Sequence, residues 1–310
     1  MNYSPDFWAA VLTCAETLCD RVGQELLQFF GTVQPQQKED GSLVTQADRW
    51  ADQALREGIH QFFPHHGLLT EETEGAFPSG DWCWVIDPLD GTTNFARKIP
   101  IWGISLGLLY RGWPVFGYVA IPPLGENFYG FWAGETGLNV PTGAFSQISP
   151  NSPNAQNSPN SPNPNSRQDK QPLQVFQGEF TPNHLFSFCT RSIHQIHPFS
   201  PSSGIESNNL EQKNTPFPCK IRMLGVATYN LLTVASGVTI GGVEATPKVW
   251  DIAATWVICQ AAGACWIFLQ DQPFPLNSGE SYHRPSYPSL VLGSDRWQAV
   301  FSDRISGLSQ

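Results

Sequence analysis

Residues 84–95, WVIDPLDGTTNF, constrain the fold more than any other segment of this 310-residue chain. A hydrophobic run that is typical of a buried strand ends at Asp87 and Asp90, on either side of Pro88. Because proline fixes φ and has no N–H, it turns the chain so that both carboxylates can face one point, with the Leu89 carbonyl between them. Two like charges this close disfavour each other unless a cation neutralises them. The segment therefore predicts a cation site where a strand gives way to a turn.

The overall composition excludes some partners for that site. The chain carries 17 Lys and Arg against 27 Asp and Glu, a formal net charge of -10, which argues against a nucleic acid partner. Its length predicts two domains or one large α/β unit with a large core. No signal-peptide pattern and no stretch of about 18 apolar residues occur, so we expect a cytoplasmic protein without a membrane partner. The seven scattered cysteines form no C-x-x-C pair and indicate reduced thiols.

Hydrophobic periodicity predicts helices and strands on both sides of a polar insert. Helical spacing of apolar residues predicts helices at 6–30, 45–62, 226–237, 248–263 and 296–305. Short apolar runs between Gly, Pro and Asn predict strands at 66–72, 82–88, 102–110, 114–121, 127–134, 219–225, 240–245, 264–270 and 289–294. The first five of these strands are expected to form an antiparallel or mixed sheet.

The insert, residues 149–172, repeats Ser-Pro-Asn and contains almost nothing that could be buried. It cannot offset the entropy of ordering itself, which predicts a disordered loop; a proline-rich binding motif is the alternative, but no P-x-x-P with basic flanks occurs. Residues 137–145 and 173–177 both look like strands, so we expect the insert at a hairpin tip. It would separate an N-terminal α+β half, 1–148, from a C-terminal α/β half, 173–310.

Four acidic residues are each predicted at the end of a strand or helix, where side chains can converge on one cleft. They are Glu71, Asp87, Asp90 and Asp251. Oxygen donors without a Cys or His cluster favour Mg²⁺ over zinc. Gly91, Thr92 and Thr93 would open a helical turn whose free N–H groups can bind phosphate. The alternative, in which Asp90 only caps a helix and Asp87 only ends a strand, leaves the other acidic residues unexplained.

These motifs together resemble the inositol monophosphatase family, within the superfamily of Mg²⁺-dependent, Li⁺-sensitive phosphatases. The resemblance is carried by Glu71-Glu72, by residues 84–95, by LVTQAD ending at Asp48, and by WDIAA at 250–254. It implies an α/β (α+β) fold, the layered αβαβα sandwich of the inositol monophosphatase and fructose-1,6-bisphosphatase type. It also implies a homodimer, the usual assembly of the family.

The resemblance assigns roles to individual residues. Glu71, Asp87 and the Leu89 carbonyl would bind one Mg²⁺, Asp87, Asp90 and Asp251 a second, and Glu71 would contribute to a weaker third. The water would be oriented and deprotonated by Asp48, Thr92 and Glu71. Phosphate would be held by the N–H groups of Gly91 and Thr92 in the turn that includes Thr93, with Lys38 nearby.

Substrate specificity is implied by two further matches. Glu244 falls where inositol-type enzymes place a glutamate on the sugar hydroxyls, and residues 224–228, including Ala227, align with a loop at the polyol ring. An exposed strand-end carboxylate is the alternative for Glu244. Lys248 could serve a second phosphate.

The expected activity is Mg²⁺-dependent hydrolysis of a small polyol or sugar phosphate, myo-inositol 1-phosphate first. The alternatives are the same chemistry on L-galactose 1-phosphate, histidinol phosphate, fructose 1,6-bisphosphate or adenosine 3′,5′-bisphosphate. A regulatory family member bound to transcription complexes is a further alternative from a different functional class.

Overall fold

The computed structural model describes residues 3–37, 43–149, 170–189 and 217–305. Lys38 and most of the insert lie outside these residues, as do the predictions made for them. The helices are α1 (Pro5–Phe29), α2 (Gln46–Phe62), α3 (Thr92–Ala96), α4 (Ala227–Ala235), α5 (Val249–Ala261) and α6 (Gln298–Ile305). The first nine strands are β1 (Gln36–Gln37), β2 (Leu43–Val44), β3 (Gly67–Thr70), β4 (Trp82–Asp90), β5 (Gly103–Tyr110), β6 (Trp113–Ile121), β7 (Glu126–Phe131), β8 (Gly143–Ile148) and β9 (Gln171–Pro172). The remaining strands are β10 (Leu185–Phe188), β11 (Lys220–Arg222), β12 (Gly241–Glu244), β13 (Cys265–Phe268) and β14 (Ser289–Leu292).

The two N-terminal helices form the first layer because each carries one apolar face. Ser4 caps α1, where its Oγ accepts the Phe7 N–H at 3.3 Å. Thr45 caps α2 in the same way, and its Oγ1 accepts the Ala47 N–H at 3.1 Å. The buried faces of both helices pack on one side of a large sheet, around Trp84, Ile104 and other side chains of its central strands. None of the described helices is long and apolar enough to span a membrane.

That sheet has seven strands in the order β3-β4-β5-β6-β7-β8-β9. β3 pairs with β4 in parallel and all the other pairs are antiparallel, which confirms the prediction of a mixed sheet. Both faces of β4, β5 and β6 are buried, since helices cover each side. Such double coverage explains why these strands appear in the sequence as continuous apolar runs.

A second sheet of five strands, β11-β10-β12-β14-β13, lies on the far side of α4 and α5. The two helices share one core with both sheets, and the last helix packs against the outer side of the second sheet, where Phe301 contacts Phe186. The order of layers is therefore helix, sheet, helix, sheet, helix. The expected αβαβα sandwich is confirmed.

Helix α5 approaches the large sheet more closely than side chains would allow. A Cβ at Gly117 of β6 would lie 2.2 Å from the Ala254 carbonyl oxygen, and one at Gly107 of β5 would lie 2.9 Å from the Ala253 Cβ. Glycine is required where backbones come this near. The contact fixes the position of the N-terminus of α5 relative to β4.

Two predicted elements differ in the structure. The strand that follows the insert is Gln171–Pro172, which pairs with Phe145 and Ser146, whereas residues 173–177 lie outside any strand and the strand before the insert begins only at Gly143. A hairpin therefore does flank the insert, but the apolar side chains of 173–177 serve packing: Val175 is buried in the core shared by the two sheets. Burial alone produced the apolar pattern that predicted a strand.

Candidate active site

The two aspartates of WVIDPLDGTTNF lie on an irregular end of β4. Pairing with β5 is regular as far as Asp87 and resumes at Asp90, with a register shift between them. Pro88 cannot donate to the ladder, which explains the interruption. The Leu89 N–H turns back to Asp87 Oδ1 at 3.0 Å. The irregularity brings two carboxylates that are 1% and 8% exposed to one side of the strand end.

Asp251 joins these two residues from the first turn of α5. Its Oδ2 accepts the Lys248 N–H at 2.7 Å, which caps the helix and fixes the side chain. One carboxylate oxygen from each of Asp87, Asp90 and Asp251 lies within 4.8 Å of the others. Residues that are 164 positions apart in sequence (251 − 87) thus form one cluster.

Burial raises the pKa of all three carboxyls. For Asp87 the charges of Glu71, Asp90 and Asp251 raise the pKa further, so that it lies well above the ordinary value. Asp251 is affected in the same way by burial and then by Asp90. Three ionised carboxylates without a counter-ion raise the free energy of the folded protein. A hard divalent cation bound to these oxygens would remove that cost. The donor set, all carboxylate oxygen, fits Mg²⁺.

Asp90 is also held by the N-terminus of α4. Its Oδ2 accepts the Thr228 N–H at 2.7 Å and the Thr228 hydroxyl at 2.6 Å, while the Ala227 N–H lies 3.4 Å from Oδ1. These bonds lower the pKa of Asp90 but do not overcome its burial. Sequence analysis placed Thr228 in the loop at 224–228 but predicted no contact with Asp90; its position at a helix start, where N–H groups lack partners, is the signal that could have found this contact.

Thr92 and Asp48 form a hydrogen-bonded pair at the edge of the cluster. Thr92 Oγ1 lies 2.9 Å from Asp48 Oδ1 and 3.1 Å from the Leu89 carbonyl oxygen. The other oxygen of Asp48 accepts the Thr45 N–H at 2.7 Å. Asp48 is 1% exposed, and burial raises its pKa although the threonine donors lower it. The cap of α2 therefore orients a carboxylate toward the hydroxyl of Thr92.

The remaining phosphate-site candidates surround this pair. Glu71 follows β3 directly, its N–H bonds the Ile86 carbonyl at 3.1 Å, and its side chain lines the same cleft. Gly91 has φ 89° and begins α3, as the sequence predicted for a helical turn. A Cβ there would lie 2.7 Å from Val226 Cγ2, so the position requires glycine. Thr93 also lines the cleft.

Glu244 ends β12 and lines the same cleft. It is 6% exposed, so the alternative of an exposed carboxylate is wrong. Its Oε1 accepts from Asn230 Nδ2 at 2.6 Å. Burial, with smaller effects from Asp90 and Asp251, raises the pKa of Glu244 to about 8 despite the Asn230 bond. Asn230 was missed by sequence analysis because nothing marks it within an apolar helix.

These side chains line a cleft of about 660 Å³. Ala227 lines it, as expected for the loop at 224–228. Lys248 lines it as well, but its Nζ donates to the backbone carbonyls of Arg284 at 2.6 Å and Pro285 at 3.2 Å. Its ammonium group therefore holds a neighbouring loop, a role that the sequence did not indicate.

The fold is thus a layered αβαβα sandwich whose cleft is lined by acidic side chains. Residues 8–290 match the model of the inositol monophosphatase family. The chain belongs to this family.

Comparisons with individual proteins agree on the family and differ in activity. The chain is 30% identical over 251 residues, 79% of its length and 80% of the relative's, to a fructose-1,6-bisphosphatase/inositol-1-monophosphatase of Thermotoga maritima. It is 37% identical over 142 residues, 45% of its length, to a histidinol-phosphatase of Chlorobaculum parvum, and the match spans 51% of that relative. A solved Thermotoga maritima IMPase has the same fold, with a TM-score of 0.68, 23% identity and coverage of 96% of each chain.

Proposed function

We propose that this phosphatase hydrolyses a small polyol or sugar phosphate monoester, with myo-inositol 1-phosphate as the first candidate. The observation that carries the proposal is the convergence of three buried carboxylates, Asp87, Asp90 and Asp251, beside the Thr92–Asp48 pair in one cleft. Such a cluster favours a bound cation and an anionic ligand that contacts that cation. Phosphate esters are ligands of this kind.

The site would bind two to three Mg²⁺ ions. Their ligands would be the carboxylates of Asp87, Asp90, Asp251 and Glu71 and the carbonyl of Leu89. Bound Mg²⁺ would supply an acidified water and would stabilise charge on the leaving oxygen. Thr228 would keep Asp90 in place, because it donates two hydrogen bonds to one carboxylate oxygen. Lys248, through its backbone N–H, would do the same for Asp251.

Thr92 and Asp48 would orient the attacking water. When Thr92 donates its proton to Asp48, a lone pair of the hydroxyl faces the cleft and would accept a hydrogen bond from one O–H of the attacking water. Glu71 would accept the other proton. The water oxygen would then bond to phosphorus, the ester P–O bond would break, and the leaving alkoxide would take up the proton that the water gave up, which yields the alcohol and inorganic phosphate.

The phosphate would lie at the start of α3, against the N–H groups of Gly91 and Thr92. Lys38 is proposed beside it on the basis of family resemblance. Glu244 and Ala227 would contact the polyol, since both line the same cleft as the carboxylate cluster. A buried carboxylate that is fixed by Asn230 can accept hydrogen bonds from ring hydroxyls.

Histidinol phosphate is the second candidate, because the Chlorobaculum parvum histidinol-phosphatase matches at 37% identity. Acidic residues of the cleft, Glu72 and Glu74 among them, could neutralise its ammonium group. The homodimer and the cytoplasmic location that family and composition suggest remain part of the proposal, and sedimentation would test the dimer.

The deciding experiment is a panel of these phosphate esters at saturating Mg²⁺, with phosphate release as the measurement. We expect myo-inositol 1-phosphate to give the highest kcat/KM, no activity in EDTA, and Li⁺ inhibition that is uncompetitive with substrate. Highest activity on histidinol phosphate would favour the second candidate. Activity that survives EDTA would overturn the metal proposal, and Mg²⁺ binding without hydrolysis of any ester would favour a regulatory role.

A further inference from the structure

His283 and Arg284, which line the cleft, belong to a loop, residues 277–287, that is tied to the protein on both sides. The Phe77 N–H bonds the Glu280 carbonyl at 2.8 Å, and the Gly279 N–H bonds the Phe77 carbonyl at 2.9 Å. At the other end the Tyr287 N–H bonds the Pro247 carbonyl at 2.8 Å. These bonds hold the loop against the segment that precedes α5.

Lys248 and Trp250 complete the attachment of this loop. The ammonium group of Lys248 donates to the Arg284 and Pro285 carbonyls, and the ring of His283 packs against Trp250 with centroids 5.1 Å apart. Both Lys248 and Trp250 lie within three residues of Asp251. The backbone of Arg284 is thereby fixed relative to the carboxylate cluster, and Lys248 acts as a positioning residue.

Arg284 differs from three other arginines of the chain in its ion pairing. Arg56, Arg111 and Arg296 each pair with a carboxylate, at 3.7, 2.9 and 3.4 Å. In the described part of the chain, Arg284 forms no ion pair, although it lines a cleft that contains several carboxylates. Its five N–H donors are available to an anion that enters this cleft.

We infer that Arg284 forms a subsite for a second anionic group of the substrate, a phosphate or a carboxylate. This inference rests on the proposed phosphatase function: the scissile phosphate would lie at the carboxylate cluster and the second group at Arg284. A guanidinium binds phosphate oxygens through two parallel hydrogen bonds, and a cleft of about 660 Å³ accommodates a sugar bisphosphate. Arg284 thus extends the substrate range from monophosphates to sugar bisphosphates.

Fructose 1-phosphate and fructose 1,6-bisphosphate test this subsite, because they differ only in the second phosphate. Their dissociation constants are measured by calorimetry with Ca²⁺ in place of Mg²⁺, for the full-length protein and the Arg284→Ala variant. The wild-type protein should bind the bisphosphate about tenfold more tightly than the monophosphate, the effect of one charged hydrogen-bonded contact. Arg284→Ala should abolish this preference and leave monophosphate affinity unchanged.

Two further variants control the result. Arg222→Ala removes the same charge from exposed β11, outside the cleft, and should keep the preference. Lys248→Met should weaken the preference because it releases the loop. The inference is overturned if the wild-type protein shows no preference for the bisphosphate, or if Arg284→Ala keeps the preference. It is also overturned if only Lys248→Met removes the preference, since Lys248 would then bind the second phosphate itself.

The same proteins separate this inference from the proposed function. Phosphate release from fructose 1-phosphate in Mg²⁺ measures the catalytic site alone. The expected preference in binding, without hydrolysis of fructose 1-phosphate or of any ester in the panel, would overturn the proposed function and support the subsite. Hydrolysis of the monophosphate without a preference for binding the bisphosphate would support the proposed function and overturn the subsite.

Discussion

Helices α2 and α5 begin in the same way and serve the candidate site differently. The third residue of each is an aspartate whose Oδ2 accepts the N–H of the residue before the helix, Thr45 for Asp48 and Lys248 for Asp251, at 2.7 Å in both. The cap fixes each carboxylate and leaves its second oxygen directed away from the helix. The local sequence therefore produces the same geometry twice.

What differs is the surroundings of the second oxygen. Asp48 meets the hydroxyl of Thr92, a neutral donor, whereas Asp251 meets the carboxylates of Asp87 and Asp90. The first arrangement suits the orientation of a proton and the second suits the binding of a cation. A helix cap therefore sets the orientation of a carboxylate, and the elements packed beside the helix decide the chemistry of that carboxylate.

The largest expected effect is on activity, from Asp251→Asn. Asparagine retains an oxygen for the Lys248 N–H, so the cap survives while a charge that would bind the cation is lost. We expect kcat to fall about 1,000-fold, equivalent to about 4 kcal/mol, with the folded structure kept. Steady-state kinetics and circular dichroism check this, with the exposed Asp271→Asn as control. A loss below about tenfold would contradict a metal role for Asp251.

Asp48→Asn should have a smaller effect for a different reason. The Thr45 N–H requires an acceptor, so the amide oxygen must stay there and the amide NH₂ must face Thr92. Thr92 then turns its proton to the Leu89 carbonyl, 3.1 Å away, and no longer donates to a carboxylate. We expect a fall in kcat of about 100-fold, the usual scale of acid–base catalysis, with little change in Mg²⁺ affinity. Exposed Glu57→Gln on the same helix is the control, and a large change in Mg²⁺ affinity would contradict this assignment.

Gly117→Ala tests whether the position of α5 matters as much as its cap. The new Cβ would lie 2.2 Å from the Ala254 carbonyl, so the helix must move away from β6. We expect a loss of about 2 kcal/mol in the free energy of unfolding and reduced activity, because Asp251 moves with the helix. Denaturant unfolding measures the first and kinetics the second. Gly75→Ala, with nothing within 4 Å of its Cβ, should change neither; full activity in Gly117→Ala would uncouple Asp251 from this packing.

The smallest expected effect is the change of the melting temperature with pH when no metal is bound. Burial raises the pKa of Asp87, Asp90 and Asp251 above the unfolded value, so the folded protein binds more protons than the unfolded chain over this range. Stability should be greatest near the unfolded pKa and should fall as pH rises through the folded values. In EDTA we expect the melting temperature to drop by a few degrees from pH 5 to pH 8, and Mg²⁺ to reverse the trend.

The asparagine variants of Asp251 and Asp48 should differ in melting temperature in this experiment. At pH 8 in EDTA, Asp251→Asn should melt above the wild-type protein because it removes repulsion. Asp48→Asn should raise the melting temperature less, because the threonine donors offset part of the burial that raises the pKa of Asp48. A melting temperature that is independent of pH in EDTA would contradict the electrostatic account of the cluster.

The layer order was implied only by the family resemblance. The sequence by itself determined the helices and the identity of the acidic residues. Each of these depends on local chemistry: apolar spacing for α1 and α5, a threonine cap for α2, and a proline between two aspartates at the end of β4. Such signals act over a few residues and are visible in the chain. Residues 173–177 mark their limit, since an apolar pattern records burial and does not distinguish a strand from a packed irregular segment.

Only the tertiary structure decided how the site is supported. Thr228 bonds Asp90 across 138 positions, Asn230 fixes Glu244 from an apolar helix, and Lys248 turns its charge to the loop of Arg284. A side chain's hydrogen-bond partner depends on which elements pack together and at what distance, and glycines at the contact between α5 and the large sheet set that distance. No local pattern encodes these pairings, because the donors and acceptors become neighbours only when the layers close.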